Sequence, residues 1–132
     1  MQYSVAVNNA RLDAFETAIG TTPKLRLYTG TVPANCAAAA TGTLIADIDL
    51  PSDWMAPAAG GSKAMSGTWS GVGAAAGNVG YFRIVNSAGT VTHMQGTASG
   101  TGGGGDMVLV NVNVAIGQPI EVDYFTITAG NQ

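Results

Sequence analysis

Charge is what this sequence most lacks. Only 10% of its 132 residues are Asp, Glu, Lys or Arg, against about a quarter in an ordinary soluble domain. Five basic residues (Arg11, Lys24, Arg26, Lys63 and Arg83) are scattered among eight acidic ones, for a net charge of −3. Holding a phosphate backbone takes several cations gathered on one face, so no nucleic-acid partner is expected. Cysteine and histidine are nearly absent too. One cysteine, Cys36, excludes an internal disulfide, and the fold must stand on packing. Cys36 and His93 together fall short of the roughly four ligands of a structural zinc site, so neither a metal nor another cofactor is expected. No apolar run approaches the ~20 residues of a membrane-crossing helix. Nor is there a basic segment followed by an apolar stretch at the start, so no membrane partner and no export signal are expected. Repeats of solenoid or propeller period are missing as well.

What remains is 46% hydrophobic and contains 19 glycines. With so few charges, the surface must consist largely of Gly, Ala, Ser, Thr and Asn. Such a surface can lie against another protein with little charge to desolvate. Without a partner, low charge promotes association. The length suits one domain with a sizeable core.

Hydrophobic periodicity divides the chain. Residues 4–19 carry Val5, Leu12, Phe15 and Ile19 on one stripe of a 3.6-residue repeat, with Gly20 and Pro23 placed to end a helix. The period then changes to two. Residues 24–28 alternate through Leu25 and Leu27. Residues 43–50 alternate with Leu44, Ala46, Ile48 and Leu50 inward and Asp47 and Asp49 outward. Residues 29–42, with Gly30, Pro33 and an alanine run at 37–40, read as a long loop. A weaker strand is expected at 64–70 around Met65 and Trp69. Residues 81–85 and 90–95 flank Asn86-Ser87-Ala88-Gly89, the clearest hairpin in the chain. The last pair is 107–114 and 120–128, joined through Gly117. Gly-rich stretches at 71–80 and 97–105 are expected to be mobile loops. Gly102 to Gly105 must lie at the surface or against another backbone. About eight short strands predict a mainly β chain: a single jelly-roll-like β-sandwich over residues 1–132 with one N-terminal amphipathic helix.

The residues offer little for catalysis. His93 falls in a strand, and a serine-type mechanism would need a nucleophile and an orienting acid beside it. Asp47, Asp49 and Asp53 lack the glycine-punctuated loop of a calcium site and read as a solvated strand edge. The Gly-rich patch ending at Asp106 lacks the Lys-Ser/Thr pair and the following helix of a phosphate loop. A non-enzymatic protein is therefore expected. Both tryptophans can be core, and Trp69, in a strand-like run, reads so. Trp54 and Met55 lie in a Pro- and Ser-containing loop, where a large apolar side chain suits an interface.

Several stretches carry a resemblance. Ala10-Arg11-Leu12-Asp13-Ala14, Leu25-Arg26-Leu27-Tyr28-Thr29-Gly30 running into Pro33-Ala34-Asn35, Thr41-Gly42-Thr43-Leu44, and Gly80-Tyr81-Phe82-Arg83-Ile84 resemble a group of small bacteriophage and prophage virion structural proteins. The likeness covers nearly the whole chain and is similar in kind to capsid decoration, or cement, proteins. It implies a place on the capsid exterior after synthesis in the host cytoplasm, with the major capsid protein as partner and self-association on the shell. It transfers no functional residue. The alternatives left open are a tail or head-fibre component contacting a host surface, and a small hydrolase with an unrecognised site.

Overall fold

The structure, a computed structural model, describes residues 1–130. Helix α1 (Val5–Ile19) starts where Ser4, in an extended conformation, accepts the Val7 N–H on its hydroxyl. It ends at Gly20, whose N–H still reaches the Glu16 carbonyl while its positive φ of 92° turns the following chain out of the helix. The face it buries is the expected one only in part. Leu12 and Ile19 are buried, but Val5 and Phe15 are each 45% exposed, and Asn8 is fully buried instead. The reason is polar docking. Asn9 accepts the Gly61 N–H at 2.9 Å, Asp13 accepts the Ala58 N–H at 3.0 Å, and Asp13 and Glu16 both reach the buried Lys63. These contacts rotate the helix so that its Asn9–Asp13–Glu16 flank, rather than Phe15, meets the domain.

The rest is mainly β. Ten strands follow: β1 (Lys24–Tyr28), β2 (Leu44–Asp49), β3 (Ser62–Ala64), β4 (Ser70–Val72), β5 (Gly77–Asn78), β6 (Tyr81–Val85), β7 (Thr92–Gly100), β8 (Met107–Leu109), β9 (Asn113–Val114) and β10 (Pro119–Thr128). Eight form one sheet in the order β2-β1-β6-β7-β8-β10-β3, with β4 also paired to β10, while β5 and β9 form a two-stranded ribbon. All neighbours are antiparallel except β7 and β8. The sheet curls until its far parts meet. Gly71 of β4 lies directly against the Ile48 side chain of β2, and the Ala74 N–H donates to the Ile45 carbonyl.

Inside the curl lies one core, with Leu25, Leu27, Ile48, Phe82, Ile84, Leu109, Val122 and Phe125 around Trp54 and Trp69. Aromatic rings run through it. Trp54 and Trp69 are 5.9 Å apart, Trp69 and Phe125 5.6 Å, and Phe125 and Phe82 5.4 Å, within the range of favourable tilted pairs. The expected alternation in β2 holds for Ala46, Ile48 and Leu50 but breaks at its start. Tyr28 pairs with Leu44 while Leu27 pairs with Ala46, so Ile45 is the extra residue of a bulge. Ile45 is therefore buried, and Leu44 is 37% exposed.

The expected strand at 64–70 is interrupted, because 65–69 leaves the ladder between β3 and β4. The hairpin through Asn86 is as expected: its side-chain oxygen accepts the Thr90 and Val91 N–H groups, and Gly89 takes the positive φ of the turn. The glycine-rich stretches differ from expectation. Residues 97–100 belong to β7, and 71–80 supplies β4 and β5 with glycines packed against other chain segments. At Gly80 a Cβ would collide with the Gly30 carbonyl. Of the tetrad, Gly103 and Gly105 lie against Ser99, and Gly102 and Gly104 face open space with positive φ.

The loop at 29–43 is a strap laid across the outer face of β1, β6 and β7. Tyr81 donates its hydroxyl to the Thr41 carbonyl at 2.5 Å, Arg83 donates to the Ala38 carbonyl at 2.7 Å, and Gln95 donates to the Pro33 carbonyl at 2.7 Å. Tyr81 also stacks on Tyr28 at 5.0 Å. The strap is why all five residues of β6 are buried, on both faces.

Candidate interaction surface

Trp54 and Met55 cannot meet a partner from where they sit. Trp54 is fully buried, with its indole N–H donated to the Gly20 carbonyl at 3.0 Å, and Met55 is 1% exposed in a bridge to Met65. The loop reading of their backbone is sound, but the helix end and β3 close over them. Trp69 is core, as its strand-like setting suggested. His93 is exposed on β7, beside Thr92 and Met94. Asp47 and Asp49 point outward and pair across β2 and β1, with Arg26 at 3.5 Å and Lys24 at 2.6 Å. Surface pairs of this kind contribute little to stability. Among the described residues no three His, Cys, Asp or Glu side chains gather as a metal site would require.

One end of the fold leaves outside a surface that is largely apolar and nearly uncharged. There, β4 and the start of β10 form a groove of about 600 Å³ with the residues after β8, lined by Ser70, Gly71, Val72, Val110, Asn111, Pro119, Ile120 and Glu121. Val72 and Val110 are each 61% exposed on its rim. The 115–118 turn stands beside it, tied to Gly73 by the Gly117 N–H at 2.7 Å, and carries Ile116 at 74% exposure. Glu121 is the only charged side chain in the groove. β-Branched residues at these positions are natural for short strands, yet nothing among the described residues covers them. A cluster of exposed apolar side chains with few charges is the composition of a protein contact surface. Sequence reasoning missed it because Val72 falls in a Gly-rich stretch that reads as a mobile loop, and Val110 in a run that reads as one continuous strand. Only the strand order places them together.

The outward face of α1 is a second such surface. Arg11, Ala14, Phe15 and Ala18 line a shallow depression there, and Arg11 lies 5.0 Å from the Tyr3 ring centre.

Compared with known proteins, the chain matches no family, no curated protein and no solved structure.

Proposed function

We propose that this protein is a non-enzymatic structural component of a bacteriophage virion, a decoration protein that binds the capsid exterior through the major capsid protein and neighbouring copies of itself. The observation that carries the reading is the exposed Val72–Val110–Ile116 end, whose groove holds a single charged residue, Glu121. A surface of this kind costs little to desolvate and gains from burial. Each copy can cover only a modest area, and repetition over a shell supplies effective concentration that one contact lacks. We read the curled sheet, with β4 lying against β2 across a single core, as a jelly-roll-like β-sandwich. The sequence resemblance to phage virion proteins is the support for the capsid as the partner.

The test uses labelled protein and phage heads stripped of their decoration protein. Wild type should co-sediment with heads at both low and high salt, because few ion pairs are available to be screened. Val72→Asp with Val110→Asp should abolish co-sedimentation without lowering the melting temperature, since both side chains are exposed. Recovery of wild type with tails instead of heads would favour a fibre component.

A further inference from the structure

The five basic residues are treated unequally by the fold. Lys24 and Arg26 face Asp49 and Asp47 across the sheet, and the buried Lys63 has Asp13 and Glu16. Arg11 stands on the exposed face of α1. Arg83 is only 4% exposed, and among the described residues it makes no ion pair with any carboxylate. Its Nη2 donates to the strap, to the Ala38 carbonyl at 2.7 Å and the Asn35 carbonyl at 3.5 Å, while its Nε is buried with no hydrogen-bond partner among the described residues. A guanidinium removed from water without a counter-charge is costly, because neutral carbonyls recover only part of the lost hydration. Its cross-strand neighbour on β1 is Arg26, another cation whose nearest carboxylate is Asp47 on β2. Nothing on that side supplies Arg83 with negative charge.

Arg83 also lines a groove of about 520 Å³ between the strap and the start of β7, together with Cys36, Ala37, Ala38, Thr90, Val91 and Thr92. The groove thus combines one buried cation, two threonine residues and an apolar wall. We propose that it is a carboxylate-binding site in which Arg83 receives the anion and Thr90 and Thr92 flank it. One cation and no second positive side chain in the lining match a single negative charge better than a phosphate dianion. The carboxylate can come from a partner protein's acidic side chain or from a free small acid. In both cases the recognition is a charge-assisted hydrogen bond from a guanidinium that the strand and strap already hold in place. The site stands apart from the capsid reading, because small anions probe it without any heads present.

Cys36 is a free thiol in the same groove and reports on its occupancy. In the wild-type protein, the rate of Cys36 alkylation by a neutral maleimide should fall several-fold, and saturably, as acetate replaces chloride at constant ionic strength. The Arg83 Nε–H resonance should shift along the same saturation curve. Phosphate should protect more weakly than acetate. A glutamate-containing peptide that protects at lower concentration than acetate would assign the carboxylate to a protein partner, and equal protection would assign it to a free acid. Arg83→Lys, checked for an unchanged circular dichroism spectrum, should weaken protection. An Arg83 Nε resonance that does not move with acetate, or moves equally with chloride, overturns the proposal and leaves Arg83 only its role in holding the strap. Both readings come from wild-type protein, so they hold even if the variant fails to fold.

Discussion

Replacing Lys63 by methionine tests how the helix is attached. The Lys63 ammonium lies in a side chain 1% exposed, 2.7 Å from Asp13, 2.8 Å from Glu16 and 2.9 Å from the Ala56 carbonyl. Methionine fills similar space but removes all three bonds. Removing one partner of a buried ion pair commonly costs about 3–5 kcal/mol. Here both carboxylates reach solvent, with side-chain exposures of 49% and 25%, so neither is stranded and the lower end, about 3 kcal/mol, is expected. For a domain of this size that is roughly a 10 °C fall in melting temperature.

The pH dependence is specific. Hydrogen bonding from Lys63, and then from the Ala58 N–H, holds the Asp13 carboxyl below its ordinary value of 3.8. A depressed carboxyl contributes stability that is present above its unfolded pKa and is lost as pH falls through the folded one. Burial pulls the Lys63 ammonium down, but hydrogen bonds and charge from Asp13 and Glu16 outweigh it and raise it above 10.5. Its contribution is therefore complete below that value and disappears only in strong base. The difference between wild type and Lys63→Met should be constant from about pH 5 to 9 and shrink below about pH 4. Urea unfolding at neutral pH and at about pH 3 would measure it. A difference within about 0.5 kcal/mol at neutral pH, the range of an ordinary surface substitution, or an equal difference at both pH values, would refute this account of the attachment.

Other substitutions separate what is buried from what is exposed. Phe15→Ala should change stability by less than about 1 kcal/mol, because the ring is 45% exposed, and thermal unfolding measures this directly. Trp54→Ala should cost about 3–5 kcal/mol, since it empties a fully buried site and removes the bond to Gly20; urea denaturation would show it as a large fall in midpoint. Tyr81→Phe leaves the ring stack but unties the strap from Thr41, so about 1–3 kcal/mol is lost, and Cys36 should react faster with a neutral maleimide. Gly80→Ala places a methyl group against the Gly30 carbonyl backbone, and the soluble yield of folded protein should drop sharply.

Local chemistry alone determined where several elements lie. Ser4 and Gly20 bound the helix because a hydroxyl satisfies a free N–H at one end and a residue without Cβ takes positive φ at the other. The Asn86–Gly89 turn joins β6 to β7 for the same kind of reason, since it needs only its own side-chain oxygen and a glycine. Tertiary structure decided which faces of those elements count. The apolar stripe of α1 pointed to Phe15, but the buried Lys63 draws Asp13 and Glu16 inward, and a partner 50 residues away along the chain leaves no mark on local periodicity. Trp54 and Met55 read as a loop and are one, yet burial depends on what folds over a loop. The end with Val72 and Val110 and the unpaired Arg83 both arise from strand order. Each of these residues looks ordinary within its own segment; only the neighbours supplied by distant strands decide whether a valine faces core or solvent, and whether a buried cation finds a carboxylate.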